Sequence, residues 1–318
     1  RLPIIVEASI GIAVCPDHGE TAEALIQHAD VAMYMAKNTK SGFTVYNQTL
    51  DLHNPRRLAL IGQLREAIDG RHLFLHYQPI VELRSNRIAG VEALVRWQHP
   101  EQGFIPPDQF IGPAEQTGLI MPLTQFVVQA AAEQCRTWRQ AGVPLRIAVN
   151  VSARNLQDPR FPDQVARTLE ACGVEPASLS FEITESAILM NQSSVLEVLG
   201  RFHRMGMELA IDDFGTGYTS LGQLKRLPVQ TIKIDKSFVL GMLANDNDHA
   251  IVRSVIDLGH DLGLKVVAEG VENQALWEQL NGLGCDLAQG YHISRPVLPG
   301  DLMKWSARAP FTLAGSSP

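Results

Sequence analysis

Glu208-Leu209-Ala210-Ile211-Asp212, Thr231-Ile232-Lys233-Ile234-Asp235 and Lys265-Val266-Val267-Ala268-Glu269 follow one another, each a short apolar run that ends in charge. Runs of this length and composition read as strands. Between the last two, Ile251, Val255, Leu258 and Leu262 keep a helical period. Working outward, strands and helices go on alternating. The strand candidates are Phe74–Gln78, Arg87–Arg96, Leu145–Ser152, Leu179–Thr184, Glu208–Asp212, Thr231–Asp235, Lys265–Ala268 and Leu287–His292. Pro122–Gln140 predicts a helix. Pro122 sits in its first turn, Leu123, Phe126, Val127, Ala130 and Ala131 form one stripe, and Gly142 stops it. Eight strands with helical crossovers over roughly 250 residues predict a (β/α)8 barrel of the TIM type. The first two strands are joined only around Leu83-Arg84-Ser85-Asn86. A parallel crossover takes about a dozen residues or more, so these two should run antiparallel and make the barrel irregular.

The composition agrees. Of 318 residues, 45% are hydrophobic and 19% charged, which excludes a disordered or low-complexity chain. A net charge of -7 argues against a broad grip on large nucleic acids, which needs a basic face. No apolar run reaches the ~18 residues that would cross a bilayer, so no membrane contact is expected from this stretch. The chain opens on Arg1-Leu2-Pro3, without a secretory signal, and reads as part of a longer protein. Cys15, Cys135, Cys172 and Cys285 form no Cys-x-x-Cys pair and are expected to be reduced core thiols. His260-Asp261, in a helical pattern, is expected on an exposed helix face.

The organisation expected is a small α+β unit over residues 1–47, a linker running into a helix over 48–63, the barrel over 64–306 and a tail over 307–318. In the small unit Ala8–Val14 and Phe43–Tyr46 read as strands and Pro16–Gly19 as a turn. Thr21 would cap a helix carrying Leu25, Ala29, Ala32, Met33 and Ala36.

In a barrel of this kind the chemistry sits at the C-terminal ends of the strands. Those ends deliver Glu92, Asn150, Glu182, Asp212 with Asp213, Lys233 with Asp235, Glu269 and Gln289. Carboxylates that close repel one another unless a positive group sits among them. Hard oxygen ligands suit Mg2+ or Mn2+, and no His or Cys stands by for zinc. Two such ions about 3.5–4 Å apart would bind a phosphate oxygen and acidify a water, which is the chemistry of phosphodiester hydrolysis. The bland alternative makes these side chains helix caps and salt-bridge partners, Asp213 a cap and Lys233 an interior ion-pair partner. The Asp213–Ser220 stretch, with Gly215 and Gly217, has no Lys-Ser/Thr to make it a Walker phosphate loop and reads as a mobile loop over the barrel mouth.

Glu92-Ala93-Leu94, with Tyr77-Gln78-Pro79, Val149-Asn150-Val151-Ser152, Phe181-Glu182-Ile183-Thr184-Glu185, Ile211-Asp212-Asp213-Phe214-Gly215, Ile232-Lys233-Ile234-Asp235, Ala268-Glu269-Gly270-Val271-Glu272 and Gln289-Gly290-Tyr291, resembles the EAL domain family of cyclic di-GMP phosphodiesterases from about Leu64 to Trp305. Ser9-Ile10-Gly11-Ile12-Ala13 and Ala29–Lys37 resemble the C-terminal end of a GGDEF (diguanylate cyclase) domain, without the signature Gly-Gly-Asp-Glu-Phe loop. The barrel's resemblance implies metal-dependent cleavage of cyclic di-GMP to linear pGpG. It implies metal binding by Glu92, Asn150, Glu182, Asp212 and Asp213, with Glu269 completing the cluster. Lys233 would hydrogen-bond the attacking water and Gln289 would steady the site. Gln78, Leu94, Arg96, Asp235 and Glu272 would contact substrate, Arg96 at a phosphate. Glu185 would anchor the Gly-rich loop. The resemblance further implies a cytoplasmic homodimer, as the cytoplasmic part of a larger membrane-bound or sensory protein. Family receptors that bind cyclic di-GMP without turnover usually lack some of these residues. A regulator of an adjacent cyclase domain is a third reading.

Overall fold

The computed structural model describes residues 8–39, 42–47, 55–70, 72–189, 192–217 and 220–313. In the N-terminal part, β1 (Ile10–Ile12) and β2 (Phe43–Val45) pair in parallel across the helix Ala22–Thr39. Thr21 Oγ1 accepts from the Ala24 N–H at 3.2 Å, the N-cap the sequence suggests. Gly11 lets the strand lie against the helix, since a Cβ there would stand 1.8 Å from Ala29 O. Cys135, Cys172 and Cys285 are buried, but Cys15 is exposed. It belongs to a turn, not to the strand before it, and so escapes the core expected of it.

The helix Pro55–Asp69 leads into β3 (Leu73–Glu82). The further strands are β4 (Arg87–His99), β5 (Gly103–Ile105), β6 (Ile147–Asn150), β7 (Leu179–Thr184), β8 (Glu208–Phe214), β9 (Thr231–Ile234), β10 (Lys265–Ala268), β11 (Leu287–Ala288) and β12 (Thr312–Leu313). Eight of them form a closed ring in the order β3-β11-β10-β9-β8-β7-β6-β4, with β4 pairing back to β3. Strand β3 is antiparallel to both neighbours, and the remaining barrel pairs are parallel. The irregular barrel read from the short first connection is therefore the fold, with Asn86 turning the chain at a φ of 54°.

The strand limits differ where partners extend or run out. β4 continues to His99 because β3 and β5 both pair with its far half, so Glu92 sits in mid-strand instead of near an end. β11 stops at Ala288, where Gly290 crosses the Val271 backbone so closely that a Cβ would lie 2.1 Å from Val271 O. Residues 307–313, expected as a tail, take part in the fold. Phe311 packs between Trp277 and Trp305, and β12 adds to the edge of β4.

Strand alternation divides the core. On β7, Glu182 enters the barrel, while Phe181 faces outward between Phe161 and Phe202, its ring centroid 5.8 and 4.8 Å from theirs. These two partners come from the helices Phe161–Cys172 and Gln192–Arg204, so three rings lock two helices to the strand that carries Glu182. Phe181→Ala is expected to cost about 3–5 kcal/mol of stability, measured by denaturant unfolding.

Candidate active site: a buried lysine among carboxylates

Lys233, 1% exposed on β9, projects into the barrel. Its ammonium lies 2.6 Å from Glu269 Oε1, 2.8 Å from Glu182 Oε2, 3.2 Å from Asp212 Oδ1 and 3.7 Å from Glu92 Oε2. Those carboxylates come from the end of β10 and from β7, β8 and β4. Burial alone would lower the Lys233 pKa, but the four anions more than reverse it and hold it well above its usual value.

One cation does not balance the cluster. Burial drives Glu182 well above the usual carboxylate range against the pull of Lys233, and the charges of Glu92 and Asp212 add to the rise. Burial likewise pushes Glu269 up to about 7. Glu92 is the exception. Burial opposes its ionisation, yet Lys233 and the amides of Gln289 and Asn150 hold it below the ordinary value. Asn150 Nδ2 donates to Glu92 Oε1 and Gln289 Nε2 to Glu92 Oε2, both at 2.6 Å.

Asp213 joins the cluster through the backbone. Strict alternation would send Asp212 and Asp213 to opposite faces of β8. The β8–β9 register shifts between Ile211 and Phe214, and Asp213 takes a φ of 53°, a left-handed conformation uncommon outside glycine. One oxygen each from Asp212, Asp213 and Glu269 then falls within 4.8 Å of the others. Burial, with the charges of Asp212 and Asp235, pushes Asp213 up to about 6.

This donor set fits a hard divalent cation: it is all oxygen, over-supplied with negative charge, and holds Asp212 Oδ1 buried with no hydrogen bond beyond its 3.2 Å ion pair with Lys233. A cavity of about 370 Å3 opens beside it, lined by Gln78, Glu92, Leu94, Asp212, Glu269, Glu272 and Gln289, and also by Lys236, Leu240 and Tyr291, which the sequence reading did not single out. Lys236 opens the helix just past the end of β9 and Leu240 lies one helical turn further on, a spacing that could have suggested both.

The other expected residues lie around this centre. Asp235 caps the helix Lys236–Gly241 by accepting from the Ser237 N–H at 2.9 Å. Glu185 Oε2 accepts from the N–H groups of Gly215 and Gly217 at 3.1 and 3.0 Å, tying down the loop after β8. Gly217 allows the contact, because a Cβ would lie 2.7 Å from Glu185 Cδ. Arg96 stands apart. Its guanidinium donates to Val95 O at 3.0 Å and lines a neighbouring cavity of about 410 Å3 with Leu94 and Asn150. His260 is exposed, as expected of that helix face, and pairs with Asp286 at 3.0 Å on the barrel rim, where Asp286 also accepts from the Val266 N–H.

A barrel of this topology enclosing this cluster has a family. Residues 61–296 match the EAL domain, and the chain belongs to that family. Residues 1–42 match the diguanylate cyclase, GGDEF domain. Among individual proteins, the chain is 41% identical over 299 residues to the bifunctional diguanylate cyclase/cyclic di-GMP phosphodiesterase MucR of Pseudomonas aeruginosa, covering 93% of this chain and 44% of that protein. It is 37% identical over 308 residues to the cyclic di-GMP phosphodiesterase PdeR of Escherichia coli, covering 96% and 46%. The solved PaMucR phosphodiesterase in complex with c-di-GMP superposes with a TM-score of 0.73 at 42% identity, over 77% of this chain and 99% of that one. The chain thus spans less than half the length of these two relatives. Among the described residues no helix is long and apolar enough to cross a membrane.

The raised carboxyls set a pH dependence. A group whose pKa rises on folding contributes stability that is fully present below its unfolded value and is lost as pH climbs through the folded value. For Glu269 that window runs from 4.5 to about 7, and for Asp213 from 3.8 to about 6. In chelator, Glu269→Gln is therefore expected to gain stability relative to the unmodified protein as pH rises through the Glu269 window. Thermal unfolding at a series of pH values measures it, and parallel profiles would contradict it.

Proposed function

We propose that this domain hydrolyses cyclic di-GMP to linear pGpG in a divalent-metal-dependent reaction. The observation that carries this reading is the cluster of Glu92, Glu182, Asp212, Asp213 and Glu269 around one buried lysine, beside a cavity open to a ligand. Two ions of the Mg2+ or Mn2+ class, held by Glu92, Asn150, Glu182, Asp212 and Asp213, would supply a Lewis acid for a phosphate oxygen and lower the pKa of a water. Their positive charge would also draw a substrate with two phosphates into an acidic protein.

The chain's own groups divide the remaining work. Lys233, held protonated, donates a hydrogen bond to the attacking water. Glu269, 2.6 Å from the Lys233 ammonium, completes the cluster. Gln289 fixes Glu92. Leu94, Asp235 and Glu272 contact the substrate around the mouth. Arg96 reaches a phosphate once it leaves Val95 O, a charge-assisted bond suited to its planar fork. Glu185 anchors the loop through Gly215 and Gly217.

The site is read here as part of a cytoplasmic homodimer, with the cytoplasmic part of a larger protein as its setting. The exposed Leu221, at the start of the helix that follows the loop after β8, supports the dimer. A silent cyclic di-GMP receptor is the alternative. The completeness of the carboxylate, amide and lysine set favours the enzyme.

Incubation of cyclic di-GMP with the protein and Mg2+ or Mn2+ is expected to yield pGpG by chromatography, and excess chelator to abolish it. Glu92→Ala should lower kcat by on the order of 10²–10³-fold or more. Binding without conversion would make the domain a receptor. Conversion that persists in chelator would remove the metal from the reaction.

A further inference from the structure

Gln78 was expected to touch substrate, but both ends of its amide are committed within the protein. Its Nε2 donates to Ser294 O at 3.0 Å, and its Oε1 accepts from Gln289 Nε2 at 3.0 Å. The same Gln289 Nε2 donates its second hydrogen to Glu92 Oε2 at 2.6 Å. All three residues are at least nine-tenths buried: Gln78 is 8%, Gln289 3% and Glu92 6% exposed.

The sense of this chain is forced from the Ser294 end. The backbone carbonyl of Ser294 only accepts, so Gln78 must turn its nitrogen there and its oxygen to Gln289, and Gln289 must turn its nitrogen to Gln78 and, at 2.6 Å, to Glu92. Flipping the Gln78 amide would set nitrogen against nitrogen and oxygen against oxygen. Fixed in this way, Gln289 presents Oε1 as a buried acceptor with no partner among the described residues. Gln78 opposes Glu92 in the β3–β4 register, and the next residue back, Tyr77, exchanges two backbone hydrogen bonds with Val297 at 2.8 and 3.0 Å. The reversed strand thereby grips both sides of the segment that carries Gln289.

We propose that Gln78 is a positioning residue that sets the amide of Gln289, and through it the Glu92 carboxylate, in the orientation metal binding requires, with Gln289 Oε1 left to accept from a water of the site. The inference rests on the hydrolase reading given above. Its effect is on the metal centre and on turnover and leaves substrate affinity alone.

The test uses Gln78→Met, which keeps the volume and removes both hydrogen bonds, alongside Gln289→Met and the double variant. Mn2+ binding is read by electron paramagnetic resonance without substrate, and kcat and KM with cyclic di-GMP. Gln78→Met is expected to weaken Mn2+ binding and lower kcat by ~10–100-fold, with KM within about threefold. In the Gln289→Met background the same change should add almost nothing, because both act through one amide. A raised KM with unchanged kcat and unchanged Mn2+ affinity, or losses that multiply in the double variant, would overturn the proposal and return Gln78 to substrate contact. If Gln78→Met does not fold, Gln78→Glu keeps the acceptor for Gln289. An unchanged KM then supports positioning, and a KM raised tenfold overturns it. Should the unmodified protein fail to cleave cyclic di-GMP at all, the hydrolase reading falls, while the Mn2+ comparison still decides the role of Gln78.

Discussion

The ammonium of Lys233 is the charge on which the barrel interior depends. It is buried with almost no exposure, and four acidic side chains from four strands reach it. Removing it would leave those acids facing one another in a poorly solvated space, a costly arrangement. Keeping it does not neutralise them, as the raised Glu182, Asp213 and Glu269 show. The structure therefore holds its acids in a state that folding tolerates but does not satisfy. That residual imbalance is what makes the site receptive to added positive charge.

Two departures from ideal barrel geometry bring the cluster together. Reversing β3 sets Gln78 directly opposite Glu92, so an amide ladder can brace a carboxylate from the side. The bulge in β8 turns Asp213 toward the face already used by Asp212. Both are backbone devices, and both place side chains that a regular alternation of strands would have scattered.

Much of this was legible in the sequence. The apolar runs ending in charge gave the strands, and the short Leu83–Asn86 connection gave the antiparallel pair, because no crossover fits in so few residues. Most residues of the acidic cluster could be named because strand ends in a barrel share one rim, although Glu92 proved to lie in mid-strand. What could not be read was the direction of individual side chains. Nothing in Asp212-Asp213 announces a bulge, and nothing in Tyr77-Gln78-Pro79 says that the Gln78 amide is spent inside the protein. The withdrawal of Arg96 to its neighbour's carbonyl is equally a matter of rotamer, set by local packing and invisible to spacing. The exposure of Cys15 followed from where a strand stopped, the kind of boundary that sequence resolves least well.

The β3–β4 hairpin has no crossover helix of its own to cover its outer face. That shielding is borrowed from two places. The helix Ile120–Gln140 sets Trp138 edge-on against Tyr77 at 4.9 Å. From the far end of the chain come the helix Pro299–Ser306, with Leu302 buried, then Phe311 and the β12 edge strand. The family match stops at residue 296, before any of that C-terminal cover. A minimal domain trimmed to the match would therefore keep every acidic residue of the site yet uncover the back of the strand that steadies them. A module cut out for excision or fusion should therefore keep the chain at least through Leu313, so that Leu302, Phe311 and the β12 edge strand stay in place.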